Sequence, residues 1–197
     1  MRLKSIWIVL LCSLSLSAQS FEADSVLFDA YLREDMSVWK NYLDKNAQQA
    51  NPDTKLFVYE YGYCGYAVDR DKAHAQPYVQ RFRQHIEALK NRLPKGHYEM
   101  FLSAVYVFEL QLHESIHPIK AMTLAKEAVQ LAGNDPIVLS YYGTCLFYAP
   151  RPFGSKQEAL EWFTKAEQHF REPKWKYCWL REANSMYIHQ CRQKLNK

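Results

Sequence analysis

Glycine is scarce in this chain, with 6 residues among 197, about 3% against an average of about 7%. Such a sequence is poorly suited to loop-rich all-β folds and to glycine-rich phosphate-binding loops. It contains neither a Gly-x-Ser-x-Gly nucleophile motif nor a Walker loop. A strong excess of one charge is also missing, because the formal net charge is only +4. The sequence therefore gives no indication of a nucleic-acid partner.

Long apolar runs are missing as well, apart from one at the amino terminus. Residues 1–19 combine the basic Arg2 and Lys4, an apolar run of about 11 residues and small residues before position 20. A bilayer span needs about 20 apolar residues, so this run predicts a secretory signal peptide rather than a membrane anchor. We expect a signal peptide over 1–19, a mature domain over 20–197, no transmembrane segment and export to the periplasm or the medium.

The predicted mature domain retains four cysteines. An exported domain permits disulfides. Cys178 and Cys191 lie on one predicted helix, about 20 Å apart at about 1.5 Å per residue, and so cannot bond to each other. A bond between Cys145 and Cys178 stays open as an alternative. We favour buried free thiols at Cys64 and the other three positions, because free cysteine behaves as a small apolar residue.

Apolar residues in the rest of the chain recur mainly at helical spacing, and capping signals mark where the predicted helices begin and end. Asp135 precedes a first-turn proline, and Ser155 with Glu158 forms a capping box. Pro173 is expected to open the last helix. Ends are expected near Asn51-Pro52, Leu93-Pro94, Gly133-Asn134 and Ala149-Pro150. These signals predict about nine short helices, with neighbours antiparallel, and no strand.

Small residues recur in these predicted helices at a fixed offset. Fifteen positions separate Ala128 from Gly143, Ala47 from Gly62, and Ala88 from Ser103. A large residue precedes each second member, in the pairs Tyr61-Gly62, Leu102-Ser103 and Tyr142-Gly143. Small residues at helical spacing also occur at Ala121, Ala125 and Ala128. At the same spacing, Ala159 and Ala166 flank the aromatic Phe163. Small residues let two helix backbones approach, and the ring fills the remaining hole.

This pattern resembles the tetratricopeptide repeat (TPR) family over residues 24–195. The resemblance is strong over 117–170 and weak over 72–92, where Arg81 and His85 occupy positions that the family fills with apolar groups. It implies an all-α, antiparallel helix-hairpin solenoid of about four hairpins plus a C-terminal capping helix. It also implies a non-catalytic scaffold or adaptor that binds a protein or peptide in a concave groove, without a cofactor.

In TPR proteins the first helix of each hairpin lines the groove, and the resemblance carries this role to a set of residues here. Tyr59, Tyr63 and Tyr66 are expected on the groove face, with Tyr61 on the core side. The expected groove residues are Tyr59, Tyr63, Tyr66, His97, Met100, Phe108, Ser140, Thr144, Tyr148, Trp175 and Glu182. A competing interpretation makes these rings half-buried packing at the hairpin joints. The family's lysine-asparagine-arginine clamp for C-terminal carboxylates is absent, which favours an apolar or aromatic ligand.

Two other functions remain as alternatives. His113, Glu114 and His117 match the zinc-peptidase pattern HExxH, in which two imidazoles one helical turn apart bind zinc and the glutamate activates water. Pro118 disfavours helix at His117, and the repeat register places the motif in a turn, so we expect no enzyme. The second alternative is a small-ligand or glycan-binding protein of the cell envelope, because aromatic grooves also stack sugars.

Overall fold

A computed structural model describes residues 24–47, 54–113 and 117–196. Within these ranges the chain forms nine α-helices and two short 3₁₀ turns, with no strand, which confirms the expected all-α class. None of the described helices is long and apolar enough to cross a membrane. The predicted signal peptide 1–19 and the helix end near Asn51-Pro52 lie outside the described residues. The described part of α1 covers 24–32, and the helices that follow are α2 (Met36–Asn46), α3 (Thr54–Arg70), α4 (Lys72–Ala88), α5 (His97–Gln111), α6 (Pro118–Ala132), α7 (Pro136–Tyr148), α8 (Lys156–Phe170) and α9 (Trp179–Leu195).

Local capping chemistry sets the starts of α7 and α8. The Asp135 carboxylate accepts hydrogen bonds from the amides of Ile137 and Val138, at 3.0 and 3.3 Å. The Ser155 hydroxyl accepts one from the Glu158 amide at 3.2 Å. Each cap satisfies amides that the first turn of a helix leaves without an intrahelical partner. Both predicted starts are confirmed.

The predicted start of the last helix is wrong. Pro173 opens only the 3₁₀ turn Pro173–Trp175, and α9 begins at Trp179. Cys178, with φ −87° and ψ 113°, has an extended backbone that separates the two segments. The helix α9 therefore starts later in the sequence than a helix opening at Pro173 would.

Helices α3, α5, α7 and α9 lie side by side and run in the same direction. Phe57 of α3 stacks on Phe101 of α5 at 5.8 Å between ring centroids, and two turns later a Cβ at Gly65 would lie 3.7 Å from Phe108. The even-numbered helices α4, α6 and α8 pack against them, and each contacts the helices on both sides of it in sequence. We call α3, α5, α7 and α9 the inner helices.

Close approach between α7 and α8 depends on small residues. A Cβ at Gly143 would lie 2.8 Å from the Phe163 ring, which is tighter than real side chains tolerate. Ala159, Phe163 and Ala166 are fully buried in α8. The small-aromatic-small pattern therefore lets α8 pack closely on α7, as the sequence predicts, because the Phe163 ring fills the space above Gly143.

A buried ion-pair network occupies the corresponding junction of α3 with α4. The Glu60 side chain is only 3% exposed, and both of its oxygens accept from His85 Nδ1, at 2.9 and 3.1 Å. Arg81 Nε lies 3.6 Å from Glu60, while another nitrogen of Arg81 donates to Asp44 at 3.1 Å. The two polar residues that depart from the family pattern therefore face a buried carboxylate of the opposite charge.

The first two helices contact the start of the last helix. Trp179 at the start of α9 packs edge-on against Trp39 of α2 at 5.6 Å and against Tyr31 of α1 at 5.5 Å. Phe28 lies 6.0 Å from Tyr177 in the same region. The first turn of α9 is thus held by residues about 140 positions earlier in the sequence.

All four cysteines of the described residues are free thiols. Cys64 and Cys191 are buried, and Cys145 and Cys178 are partly buried. The predicted free state agrees with the structure, although the prediction of complete burial holds for only two of the four. The alternative bond between Cys145 and Cys178 is not formed.

Candidate functional site

The inner helices surround an open cavity of about 1070 Å³. The turn between α1 and α2 and the first turns of α6 complete its wall. Pockets that bury a drug-sized ligand span about 300–1,000 Å³, so this cavity has room for a ligand at or above that size. We call it the inner cavity.

Aromatic rings form the buried end of the inner cavity. Trp39 is 1% exposed and Tyr141 4% exposed. The centroid of the Tyr61 ring lies 5.9 Å from that of Trp179, 5.8 Å from that of Tyr141 and 6.0 Å from that of Phe108. These rings come from α2, α3, α5, α7 and α9, so the buried end exists only when all five helices are in place.

Exposed apolar side chains are concentrated at the rim of the inner cavity. Ten large apolar residues of the described chain are exposed, and six of them line this cavity. Ile119 is 71% exposed, Tyr148 66% and Phe153 59%. The six are Tyr66, Leu110, Ile119, Tyr148, Phe153 and Met186. A contiguous exposed apolar rim marks an interaction site more often than scattered apolar residues do.

Hydroxyl groups supply the polar contacts of the wall. Ser103 donates to the Ala121 carbonyl at 2.6 Å, so the Tyr141 hydroxyl donates to Ser103 Oγ at 2.7 Å. Nearer the rim, the hydroxyls of Tyr148 and Tyr187 lie 3.4 Å apart. Burial raises the pKa of Tyr141 and Tyr187 well above the ordinary value for tyrosine. These phenols therefore stay neutral and can both donate and accept hydrogen bonds.

The Cys145 thiol lies in the same wall and is also neutral. Burial raises its pKa to about 12, so a nucleophilic thiolate does not form near neutral pH. No histidine is found among the described residues that line the cavity. With neutral phenols, a protonated thiol and aromatic faces, the inner cavity can bind by burial, stacking and hydrogen bonding.

The structure divides the eleven predicted groove residues into two sets. Five line the inner cavity, and the other six lie elsewhere. The five are Tyr66, Phe108, Ser140, Thr144 and Tyr148, and the six are Tyr59, Tyr63, His97, Met100, Trp175 and Glu182.

The predicted tyrosine faces of α3 are reversed. Tyr59 is 5% exposed and packs edge-on against Trp39 at 5.2 Å, while Tyr63 is 6% exposed and packs against Tyr78 at 4.8 Å. Tyr61 lines the cavity instead. The cause is that α2 and α4 both pack on α3 and bury the face that carries Tyr59 and Tyr63.

The other misplaced residues belong to the core or to surface packing. Met100 is fully buried, and His97 Nε2 lies 3.2 Å from the Asp135 carboxylate, behind the cavity wall. Trp175 packs edge-on against Phe170 at 5.9 Å. Glu182 does not line the cavity, but its charge helps to raise the pKa of Tyr31, a lining residue, after the larger effect of burial.

Sequence reasoning missed the contribution of α9. Trp179, Ala183, Met186 and Tyr187 line the inner cavity. Their spacing of i, i+4, i+7 and i+8 places them on one helix face, and this periodicity is the signal in the sequence that could have found them.

The HExxH pattern does not form a helical zinc site in the described residues. His113 follows the end of α5 with φ +63°, and His117 is the non-helical N-cap of α6. The two imidazoles therefore do not lie one helical turn apart, as that chemistry requires. Glu114 lies outside the described residues. No cluster of three or more histidine, cysteine or acidic side chains among the residues that the structure describes could hold a metal ion.

Comparison with protein-family models, with curated proteins and with solved structures gave no match to this chain. Function is therefore argued from the inner cavity itself.

Proposed function

We propose that this protein is an exported, non-catalytic scaffold or adaptor that holds an apolar peptide segment of a partner protein in the inner cavity. The observation that carries the proposal is the concentration of exposed apolar side chains at the cavity rim. Tyrosine and tryptophan bury a large area with few rotatable bonds and present a polar tip, which makes them strong contributors to protein interfaces.

A TPR-like hairpin solenoid is the architecture we propose for this scaffold. Parallel inner helices with a packed helix between each pair support it. The contact of Phe163 with Gly143 supports it at the α7–α8 pair, where the sequence resemblance is strongest. In such arrays the stacking of hairpins creates both the core and a concave surface, and we infer that the inner cavity corresponds to that surface.

A peptide fits the lining better than a purely apolar molecule does. The backbone of a bound peptide brings amide donors and carbonyl acceptors. The phenols of Tyr61, Tyr148 and Tyr187 can accept hydrogen bonds from the amides and donate them to the carbonyls. Its apolar side chains would cover the exposed rings at the rim. Several side chains can enter at once, because the cavity volume is about 1070 Å³.

Affinity selection with a defined peptide pool tests this function. The purified protein is incubated with a mixture of random hexapeptides, acetylated and amidated at their ends, and the retained peptides are sequenced by mass spectrometry. The blocking variant is Gly65→Trp, since a Cβ at Gly65 meets only the Phe108 ring, at 3.7 Å, and the new ring enters the cavity. We expect retention of peptides rich in apolar and aromatic residues, reduced at least about tenfold by the substitution.

The matched control is Leu131→Trp, which adds the same ring at a 51% exposed position of α6 outside the cavity. It should retain the same peptides as the unaltered protein. Equal retention by all three proteins would place binding outside the inner cavity and contradict the proposal. No retained peptide on a folded, unaltered protein would also contradict it.

A further inference from the structure

The carboxyl ends of three inner helices meet at the rim of the inner cavity. The last turns of α3, α5 and α7 contribute Tyr66 and Asp69, Leu110 and Gln111, and Tyr148, respectively. A helix carries a partial negative charge of about half an electron at its carboxyl end. The first turn of α6, with Pro118 and Ile119, reaches the same rim and carries the opposite partial charge. The helix ends therefore favour a positive charge only beside the last turns of α3, α5 and α7.

Side-chain charges at the rim have the same sign. Glu34 lines the cavity, and Glu182 lies close enough that both carboxylates raise the pKa of Tyr31 beyond the effect of its burial. Neither glutamate forms an ion pair with a described residue. Arg70 is the one basic residue among the described residues that line the cavity, and it pairs with Asp69 at 3.0 Å. The cavity is therefore negative in a chain whose net charge is +4.

Seven of the described aromatic rings outside the cavity have one of the protein's own cations over them. Arg83 and Lys120 lie over Tyr106, at 5.0 and 4.7 Å from the ring centroid, and Lys156 lies 4.3 Å from that of Phe147. The other rings with a lysine or arginine over them are Tyr78, Tyr98, Trp162, Trp175 and Tyr177.

Rings inside the cavity have no such cover. None of the described aromatic residues that line it has a lysine or arginine over its face. A ring face attracts a cation, and the attraction is stronger where water is excluded. Tyr31, Tyr61 and Trp179 pack against other rings. The rings of Tyr66 and Tyr148, which are 40% and 66% exposed, are thus available to a cation that the partner brings.

We propose that the inner cavity selects peptide segments that carry a lysine or arginine next to their apolar residues, with Glu34 as the residue that favours the positive charge. This inference rests on the proposed function, since it names the charge of the peptide bound at the same site. The cation lies at the rim between the Glu34 carboxylate, the helix ends and the ring faces, while the apolar side chains enter the buried end.

The peptide pool described above tests the inference, because its blocked ends leave side chains as the sole source of charge. The readout is the ratio of basic to acidic residues in the retained peptides, relative to the input pool. With the unaltered protein at low salt we expect this ratio to rise at least about threefold, and to fall towards one at high salt as the charges are screened.

Glu34→Gln removes the carboxylate and keeps the shape, and it should lower the enrichment by about half. Glu127→Gln is the matched control, since Glu127 is an exposed carboxylate of α6 that does not line the cavity, and it should leave the ratio unchanged. Retention of apolar peptides without basic enrichment would overturn this inference and leave the proposed function standing. Enrichment that Glu34→Gln does not reduce would overturn the role of Glu34. Failure to retain any peptide would overturn both proposals.

Discussion

The junction of α7 with α8 and the junction of α3 with α4 hold similar helix pairs together by different chemistry. At α7–α8, Gly143 and two alanines let the backbones approach, and the buried Phe163 ring fills the space. At α3–α4, a carboxylate only 3% exposed, Glu60, is neutralised by His85 and Arg81. The first junction is dry and apolar, and the second is a buried ion-pair network.

The difference shows how a junction between two helices can be ionic instead of apolar. An apolar contact can be replaced by an ionic one if every buried charge finds a partner, because an unpaired buried charge is far more costly than a lost methyl contact. The departure at Arg81 and His85 is therefore a coupled change that requires Glu60 on the facing helix. We expect the two junctions to respond to different perturbations.

Phe163→Ala should have the largest effect, at the apolar junction. The ring is fully buried above Gly143, so its removal leaves a cavity as well as losing buried area. We expect a loss of about 3–5 kcal/mol in the free energy of unfolding, measured by urea denaturation followed by circular dichroism. A loss below about 1 kcal/mol would mean that α7 and α8 collapse onto the space, and the apolar junction would then be no tighter than the ionic one.

Glu60→Gln should have an intermediate effect, at the ionic junction. It leaves Arg81 and His85 without their anion, and we expect a loss of about 2 kcal/mol by the same measurement. Replacing Glu60, Arg81 and His85 together by leucine should recover most of that loss, because a well-packed apolar set of similar volume can replace buried ion pairs. If the triple variant were less stable than Glu60→Gln, the network would contribute more than mutual neutralisation.

The pH dependence of the free energy of unfolding should also distinguish the two junctions, with a smaller effect than the two substitutions above. The hydrogen bond from His85 to Glu60 raises the pKa of His85 above its ordinary value of 6.5. Its contribution to stability is therefore complete below about pH 6.5 and is lost as the pH rises through the folded-state pKa. We expect the free energy of unfolding to fall between pH 6 and pH 9 in the unaltered protein, less so in His85→Gln. Phe163→Ala should show the same fall in the free energy of unfolding with pH as the unaltered protein. If His85→Gln left this fall unchanged, groups other than His85 would be responsible for it.

Gly65→Ala should have the smallest effect, and in the opposite direction. Unlike Gly143, this glycine faces the inner cavity, where a Cβ meets the Phe108 ring at ordinary distances of 3.7 and 3.9 Å. Alanine is the better helix former, so we expect a gain of about 0.5–1 kcal/mol. Gly143→Ala is the comparison, and it should destabilise the protein because its Cβ would lie 2.8 Å from Phe163. A loss of stability in both variants would mean that the cavity wall at Gly65 is packed rather than open.

The helices and their caps could be predicted because their signals are local. The side chains of Asp135 and Ser155 accept hydrogen bonds from amides three residues later in the sequence. The alanine spacing of α6 and of α8 likewise lies within a single helix. The inner cavity was only partly predictable, because α3 carries aromatic residues on two opposite faces. Which of Tyr59, Tyr61 and Tyr63 faces the cavity depends on the packing of α2 and α4, and sequence periodicity does not contain that information.

The contact between Trp179 and Trp39 has a consequence for how the protein unfolds. Open repeat arrays unfold from their ends, since each unit touches only its neighbours and stability is a sum of local terms. Here the first turn of α9 rests on α1 and α2, so the first two helices cannot detach from it without separating residues about 140 positions apart. Such a contact raises the mean sequence separation of the native contacts, which slows folding and couples the two ends into one cooperative transition. Hydrogen exchange should accordingly protect α2 and the start of α9 to a similar degree.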